Sequence, residues 1–242
     1  MKKKMKKAGS KIKTNEITKT PEMQKPETEN IIQIQKKPLS LEEQEMLNKR
    51  LSWAIESSHW KAVGELVKEG ADINVRDEYG RTALILAAEL GYSERVEALV
   101  GLGADINAKG KYGYTALMKA AEDGWLCSRA KIIRLLVSKG ADLNAMSVNG
   151  ETALAIATGR GYKWLAELLI SKGADVNARR GVDGWSILMI NSAYTGKKEM
   201  VELLISSGAD ADLKNDKGET PYDLAGNDEI RELLKEAMKK KE

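Results

Sequence analysis

The 242-residue sequence predicts an all-α solenoid of stacked helix-turn-helix units behind a lysine-rich tail. Three observations carry the prediction. A five-residue stretch recurs, as Gly70 to Asn74, Gly103 to Asn107, Gly140 to Asn144, Gly173 to Asn177, and Gly208 to Asp212, with starts 33, 37, 33 and 35 residues apart. Self-similarity at one period marks a repeat architecture. Each interval also holds the same order: a turn glycine, a Thr or Ser, a short apolar run, a mid-unit glycine, and a second apolar stripe. Residues 1–40 stand apart, with eleven Lys and four Glu. Stretch 1–38 has no aromatic residue and few apolar ones, so burial cannot offset the entropy of ordering it.

Residues 1–38 are therefore expected to be a disordered basic tail, with Ile31, Ile32 and Ile34 as one apolar spot and Pro38 closing it. The body, 39–242, opens with a cap at about 40–76. Ser40 followed by Glu43 has capping-box spacing, and Leu47, Leu51, Ala54 and Ile55 recur at helical period. Trp60, Val63, Leu66 and Val67 give a second helix after a turn near Ser57 and Ser58. Full units follow at about 77–109, 110–146, 147–179 and 180–215. In the first, Thr82 caps the helix beginning at Ala83, Gly91 stops it, and Val96, Leu99 and Val100 form the stripe of its partner. Gly103 then supplies a left-handed C-cap. Thr115, Thr152 and Ser186 take the place of Thr82 in the later units. A closing cap, about 216–242, ends in a charged helix from Glu229 to Lys240, as a terminal unit facing water requires.

This pattern resembles the ankyrin repeat, over about residues 42–238. The resemblance implies antiparallel helix pairs joined by β-hairpin fingers that project from the stack. The family's proline appears only at Pro221, with Ala83, Ala116, Ala153 and Ile187 in its place elsewhere. Its histidine becomes Ile85, Met118, Ala155, Met189 and Asp223, so its Thr–His hydrogen-bond network is not expected. Two irregularities stand out. About four extra residues near Trp125 to Arg129 enlarge the inter-helix turn of the second unit. The fourth unit has one extra residue in its finger (Arg179 to Asp183) and one more before Gly196.

No catalytic constellation is visible. One histidine, His59, cannot supply a triad or a His metal cluster, and it falls at the turn of the first helix pair. One cysteine, Cys127, excludes an internal disulfide and fits a reducing compartment; Arg129 nearby is the cationic neighbour that a reactive thiol would want, but Cys127 reads as an ordinary, partly buried thiol. The aspartates of the recurring stretch lie one per unit rather than in one loop, against a calcium site. No phosphate-cradling loop is present. No cofactor is expected. No apolar run has the length of a membrane span or a signal peptide, and the expected location is the cytoplasm.

The informative positions are those where the units disagree. By the resemblance, partners contact finger tips and the exposed face of the first helices. The candidates are Arg76, Tyr79, Arg81, Lys111, Tyr112, Tyr114, Val148, Asn149, Arg180, Val182, Trp185 and Tyr194, with Glu89, Leu90, Glu122, Asp123 and Thr158 continuing the face. Tyr79, Tyr112, Tyr114 and Trp185 lead, because Tyr, Trp and Arg dominate interface hot spots. Tyr92, Trp125 and Tyr162 share the position after the mid-unit glycine and read as structural. The expected role is non-enzymatic binding of another protein by a monomeric chain. Neutralising an enzyme by covering its site, or touching nucleic acid through the basic tail, are the alternatives.

Overall fold

Helix pairs dominate the computed structural model, which describes residues 39–57, 59–123, 127–181 and 183–239. The basic tail, Ser58, Trp125 and Val182 lie outside the described residues. The first pair is α1 (Leu41–Glu56) and α2 (Trp60–Glu69). The Ser40–Glu43 capping box forms in both directions, at 2.8 and 3.2 Å. His59 precedes α2 and stacks on Trp53, 4.8 Å between ring centres.

Three similar pairs follow: α3 (Ala83–Glu89) with α4 (Ser93–Gly101), α5 (Ala116–Ala121) with α6 (Cys127–Ser138), and α7 (Ala153–Arg160) with α8 (Lys163–Ser171). The fourth is α9 (Ile187–Ile190), continued by a π-helical turn at Asn191–Thr195, with α10 (Lys198–Ser206). Each first helix starts at a buried hydroxyl: Thr82, Thr115, Thr152 and Ser186 accept from the backbone amide three residues on. The extra residue before Gly196 produces the π turn. A wider turn absorbs an insertion without moving the helix ends, and buried Asn191 holds it by donating to Thr158 Oγ1 at 3.0 Å and the Ile187 carbonyl at 2.9 Å.

The insertion in the second unit lengthens α6 rather than only widening the turn. That helix has 12 residues, against 9 in α4, α8 and α10. Its added turn carries Arg129, which is buried and donates to the carbonyls of Glu89 (2.6 Å) and Lys119 (3.0 Å). Those carbonyls end α3 and α5, where a cation is favoured. Cys127, expected to be partly buried, is exposed at the start of the same helix. The last unit departs further. Its first helix shrinks to a turn at 221–224, and Asp223 accepts from the Thr220 hydroxyl at 2.6 Å, which with the Thr220 amide holds its carboxyl below the usual range. Helix α11 (Asp228–Lys239) closes the stack, burying Ile230 and Leu234 and turning charges outward.

First helices pack on first helices, α3 on α5, α5 on α7 and α7 on α9, while α4 packs on α6. The buried side chains form one continuous core from Leu47 to Leu234. Ala87, Ala88, Ala120 and Ala121 are buried where neighbouring helices approach. Among the described residues no strand forms; finger pairing is limited to single bridges, Arg76 with Thr82 and Arg179 with Ser186.

The recurring stretch does two jobs. Its Asp bonds the backbone within the turn: Asp72, Asp105, Asp142 and Asp175 each accept from the amide two residues on, at 2.9 Å. Its Asn bonds the next unit: Asn74, Asn107, Asn144 and Asn177 accept from the amides of Asp105, Asp142, Asp175 and Asp210, each at 2.8 Å. Asn48 of α1 starts this ladder, accepting from Asp72 at 2.8 Å.

Candidate functional site

The fingers rest on a second set of ties. Arg76 donates to the carbonyls of Gly80 in its own finger and Lys109 in the next. Lys109 reaches the Met146 carbonyl at 3.2 Å. Arg179 repeats the arrangement with Gly184 (2.9 Å) and Lys214 (3.0 Å). Arg76 thus straps two fingers together, whatever else it touches.

Beyond this strap the fingers present side chains to solvent. Tyr79 is 60% exposed with the Arg81 guanidinium 4.9 Å from its ring centre; Tyr112 is 62% exposed with Lys111 5.7 Å away. Val148, 71% exposed, and Asn149 stand at the third tip, where the Val148 amide donates to the Tyr112 carbonyl at 2.8 Å.

Behind the tips runs a chain of ion pairs. Arg81 holds Asp77 at 2.8 Å and Glu89 at 3.0 Å, and these carboxylates outweigh its partial desolvation to raise its pKa. Lys119 lies 3.8 Å from Glu89 and 2.9 Å from Glu122. It also sits 4.5 Å from the Tyr114 ring. Tyr79, Arg81, Lys111, Tyr112 and Tyr114 surround one hollow of about 190 Å³.

A larger hollow, about 470 Å³, opens over α7. Ala155, Ile156, Gly159, Ile187 and Ile190 line it among apolar or small residues; Tyr114, Glu122, Glu151, Arg160, Arg180 and Trp185 surround them. Tyr114 donates its hydroxyl to Glu151, and burial together with that carboxylate pushes the phenol up to about 12. Arg180 grips Asp183, which holds the Asp183 carboxyl below the usual carboxylate range. Trp185 stacks on Tyr194, 5.3 Å between centres and 15° between planes, leaving Tyr194 71% exposed.

The structure therefore gathers Tyr114, Arg180 and Trp185 around the large hollow, with Tyr194 stacked behind Trp185, and Tyr79, Arg81, Lys111 and Tyr112 around the small one. Thr158 does not continue the face. It is fully buried, bonded to Asn191 and to the Ala155 carbonyl, because its register on α7 is one place away from that of Glu89 and Glu122. The residue in register is Gly159. Ala155, Ile156, Gly159, Arg160 and Ile190 escaped the sequence reading. The signal for them was present as the smallness of Ala155 and Gly159 where earlier units carry Ile85, Met118, Glu89 and Glu122. Arg95 lies 3.9 Å from the Tyr92 ring centre, and the Tyr162 hydroxyl donates to the Glu122 carbonyl at 3.4 Å.

Among the described residues no group of three or more His, Cys, Asp and Glu is placed to hold a metal ion, and no helix is long and apolar enough to cross a membrane. A family model for ankyrin repeats in three copies matches residues 36–110 and 102–180, and a model for a single ankyrin repeat matches 183–216. No curated protein matches the chain. The capped helix pairs, the Asp–Asn turns that couple them and matches spanning more than half of the sequence lead to one conclusion: the chain belongs to the ankyrin repeat family.

Proposed function

We propose that the chain binds another protein, without catalysis, through its finger tips and the exposed face of its first helices. Ankyrin repeats are in general protein–protein interaction modules. The observation that supports this face in particular is the exposure of Tyr79, Tyr112, Val148 and Tyr194 on a frame whose fingers are tied together, Val148 to Tyr112 through the backbone and Arg76 to Lys109. Large side chains held on a rigid frame lose little entropy on docking, and aromatic residues of this kind supply most interface energy.

The test is affinity capture with the full chain against the same chain carrying Tyr79→Ala, Tyr112→Ala and Tyr194→Ala. Partners retained by the native chain should be lost by the variant, while circular dichroism and melting temperature stay near native. Capture that survives all three substitutions unchanged removes this face from the binding surface.

A further inference from the structure

The hollow over α7 has a cause in the sequence. At the third position after the capping hydroxyl the first helices carry Ile85, Met118, Ala155 and Met189; at the seventh, the four units carry Glu89, Glu122, Gly159 and Ala193. The side chains of α7 are cut back at both places on one face; its neighbours keep Met118 and Glu122 on one side and Met189, with Ala193 at the seventh place, on the other. Tyr114 and Glu122 stand on one side and Trp185 and Ile190 on the other. A Cβ placed on Gly159 would meet nothing within 4 Å. Close packing therefore does not demand this glycine, which also weakens a helix interior.

The charges around the opening are not balanced. Glu122 is paired with Lys119 at 2.9 Å, whereas Glu151 accepts only from the neutral Tyr114 hydroxyl and keeps its negative charge. Arg180 is matched by Asp183. Among the described residues the Arg160 guanidinium has no ion-pair partner, and Lys197 beside it reaches only the Arg160 carbonyl, at 2.7 Å. The rim is therefore polarised, positive at Arg160 and Lys197 beside the end of α7 and negative at Glu151.

Resting on the reading of this face as a protein-binding surface, we propose that the hollow over α7 is its anchor pocket, taking one large apolar side chain from a partner segment that carries a carboxylate beside it. The volume, about 470 Å³, lies within the range of pockets that bury a bulky group. Ile156, Ile187 and Ile190 offer the apolar contact, and Trp185, backed by its stack on Tyr194, forms one wall. Arg160 and Lys197 receive the carboxylate, while Glu122 and Glu151 on the opposite side set the direction in which the segment lies.

The experiment refills the pocket. A phage-displayed library of random linear 12-residue peptides is selected on the full native chain, and the enriched peptides are synthesised. Their affinities are measured on the native chain, on Ala155→Met/Gly159→Glu, and on Arg160→Glu. Both replacements in the double variant are residues that α5 carries at the matching positions, and Arg160→Glu alters only an exposed residue should the double variant fold poorly. Enriched peptides should share Trp, Phe or Leu beside Asp or Glu. They should bind at least roughly tenfold more weakly to the refilled chain and several-fold more weakly to Arg160→Glu, with melting temperatures at or above native for the refilled chain. Undiminished binding to both variants overturns the proposal, as does enrichment of peptides without a carboxylate or no enrichment at all. Peptides lost on Tyr79→Ala/Tyr112→Ala but indifferent to refilling would keep the wider binding face and remove the pocket. Loss of protein capture in the preceding test, by contrast, is read independently of any peptide.

Discussion

At the scale of single residues, Tyr114 shows how a finger aromatic is tuned by what lies behind it. Its hydroxyl donates to Glu151, and its pKa is raised from 10.0 to about 12 by burial first and that carboxylate second. The raised value means that the folded chain favours the neutral phenol. The stabilisation is complete below pH 10 and is lost as the pH rises through about 12. Titration followed at 295 nm should therefore show one phenol ionising near pH 12, absent in Tyr114→Phe and shifted down in Glu151→Gln. Asp183 has the opposite sign. Arg180 depresses its pKa below 3.8, so its contribution is present above pH 3.8 and fades as the pH falls through the depressed value. The identity of Tyr114 as a finger residue was legible from its spacing to Thr115. Its partner was not, since Glu151 is 37 positions away and only the stacking of one unit on the next brings them together. Thr158 failed for a related reason: a single-place error in register on a helix turns a side chain by about 100°, from the open face into the core.

Elements were legible wherever one residue fixes a boundary. Thr82, Thr115, Thr152 and Ser186 cap the helices that their spacing predicted, and replacing Thr115 by Ala should cost about 0.5–2 kcal/mol in chemical denaturation. The consequences of insertions were not legible, because an added residue can enter a loop, extend a helix or widen it. The second unit extends α6 and the fourth widens α9 into a π turn, choices set by whether a buried partner such as Arg129 or Asn191 becomes available. Finger spacing gives a sharper test. Gly150 has φ +76, and a Cβ there would lie 2.6 Å from the Gly181 amide nitrogen and 2.8 Å from Arg180 Cα. Gly173 has φ +94 but open space around it. Gly173→Ala should cost about 1–2 kcal/mol, the strain of the left-handed backbone alone. Gly150→Ala carries that strain plus a collision between adjacent fingers, so it should be the more destabilising and should broaden amide resonances around Arg180. Equal costs would mean that the fingers yield freely.

Across the whole molecule, stability is shared out unit by unit. Local interfaces between neighbouring helices carry it, as in α3 on α5, α5 on α7 and α4 on α6, which makes the stack behave as a one-dimensional chain of coupled segments. Its apolar coupling runs through buried leucines: Leu99, Leu136, Leu169 and Leu204 are all fully buried, and Leu136→Ala should cost about 2–5 kcal/mol. Its polar coupling runs through the Asn ladder, where Asn107 accepts from Asp142 and Asn48 from Asp72. Each such bond contributes about 0.5–1.5 kcal/mol, so neither deletion unfolds the protein. Their positions nevertheless separate them. Asn107 lies at an interior interface, with two units before it and four after it. Asn107→Ala weakens the joint between those blocks, and urea unfolding should become broader, with a lower m-value as the blocks begin to melt apart. Asn48 lies inside the first unit, where it ties α1 to the turn after α2. Asn48→Ala should leave the main transition in place and raise amide exchange in α1 and α2 alone. The comparison reads the coupling between units directly: if both variants shift the midpoint alike with unchanged m-values, the stack unfolds as one block and the ladder is not what divides it.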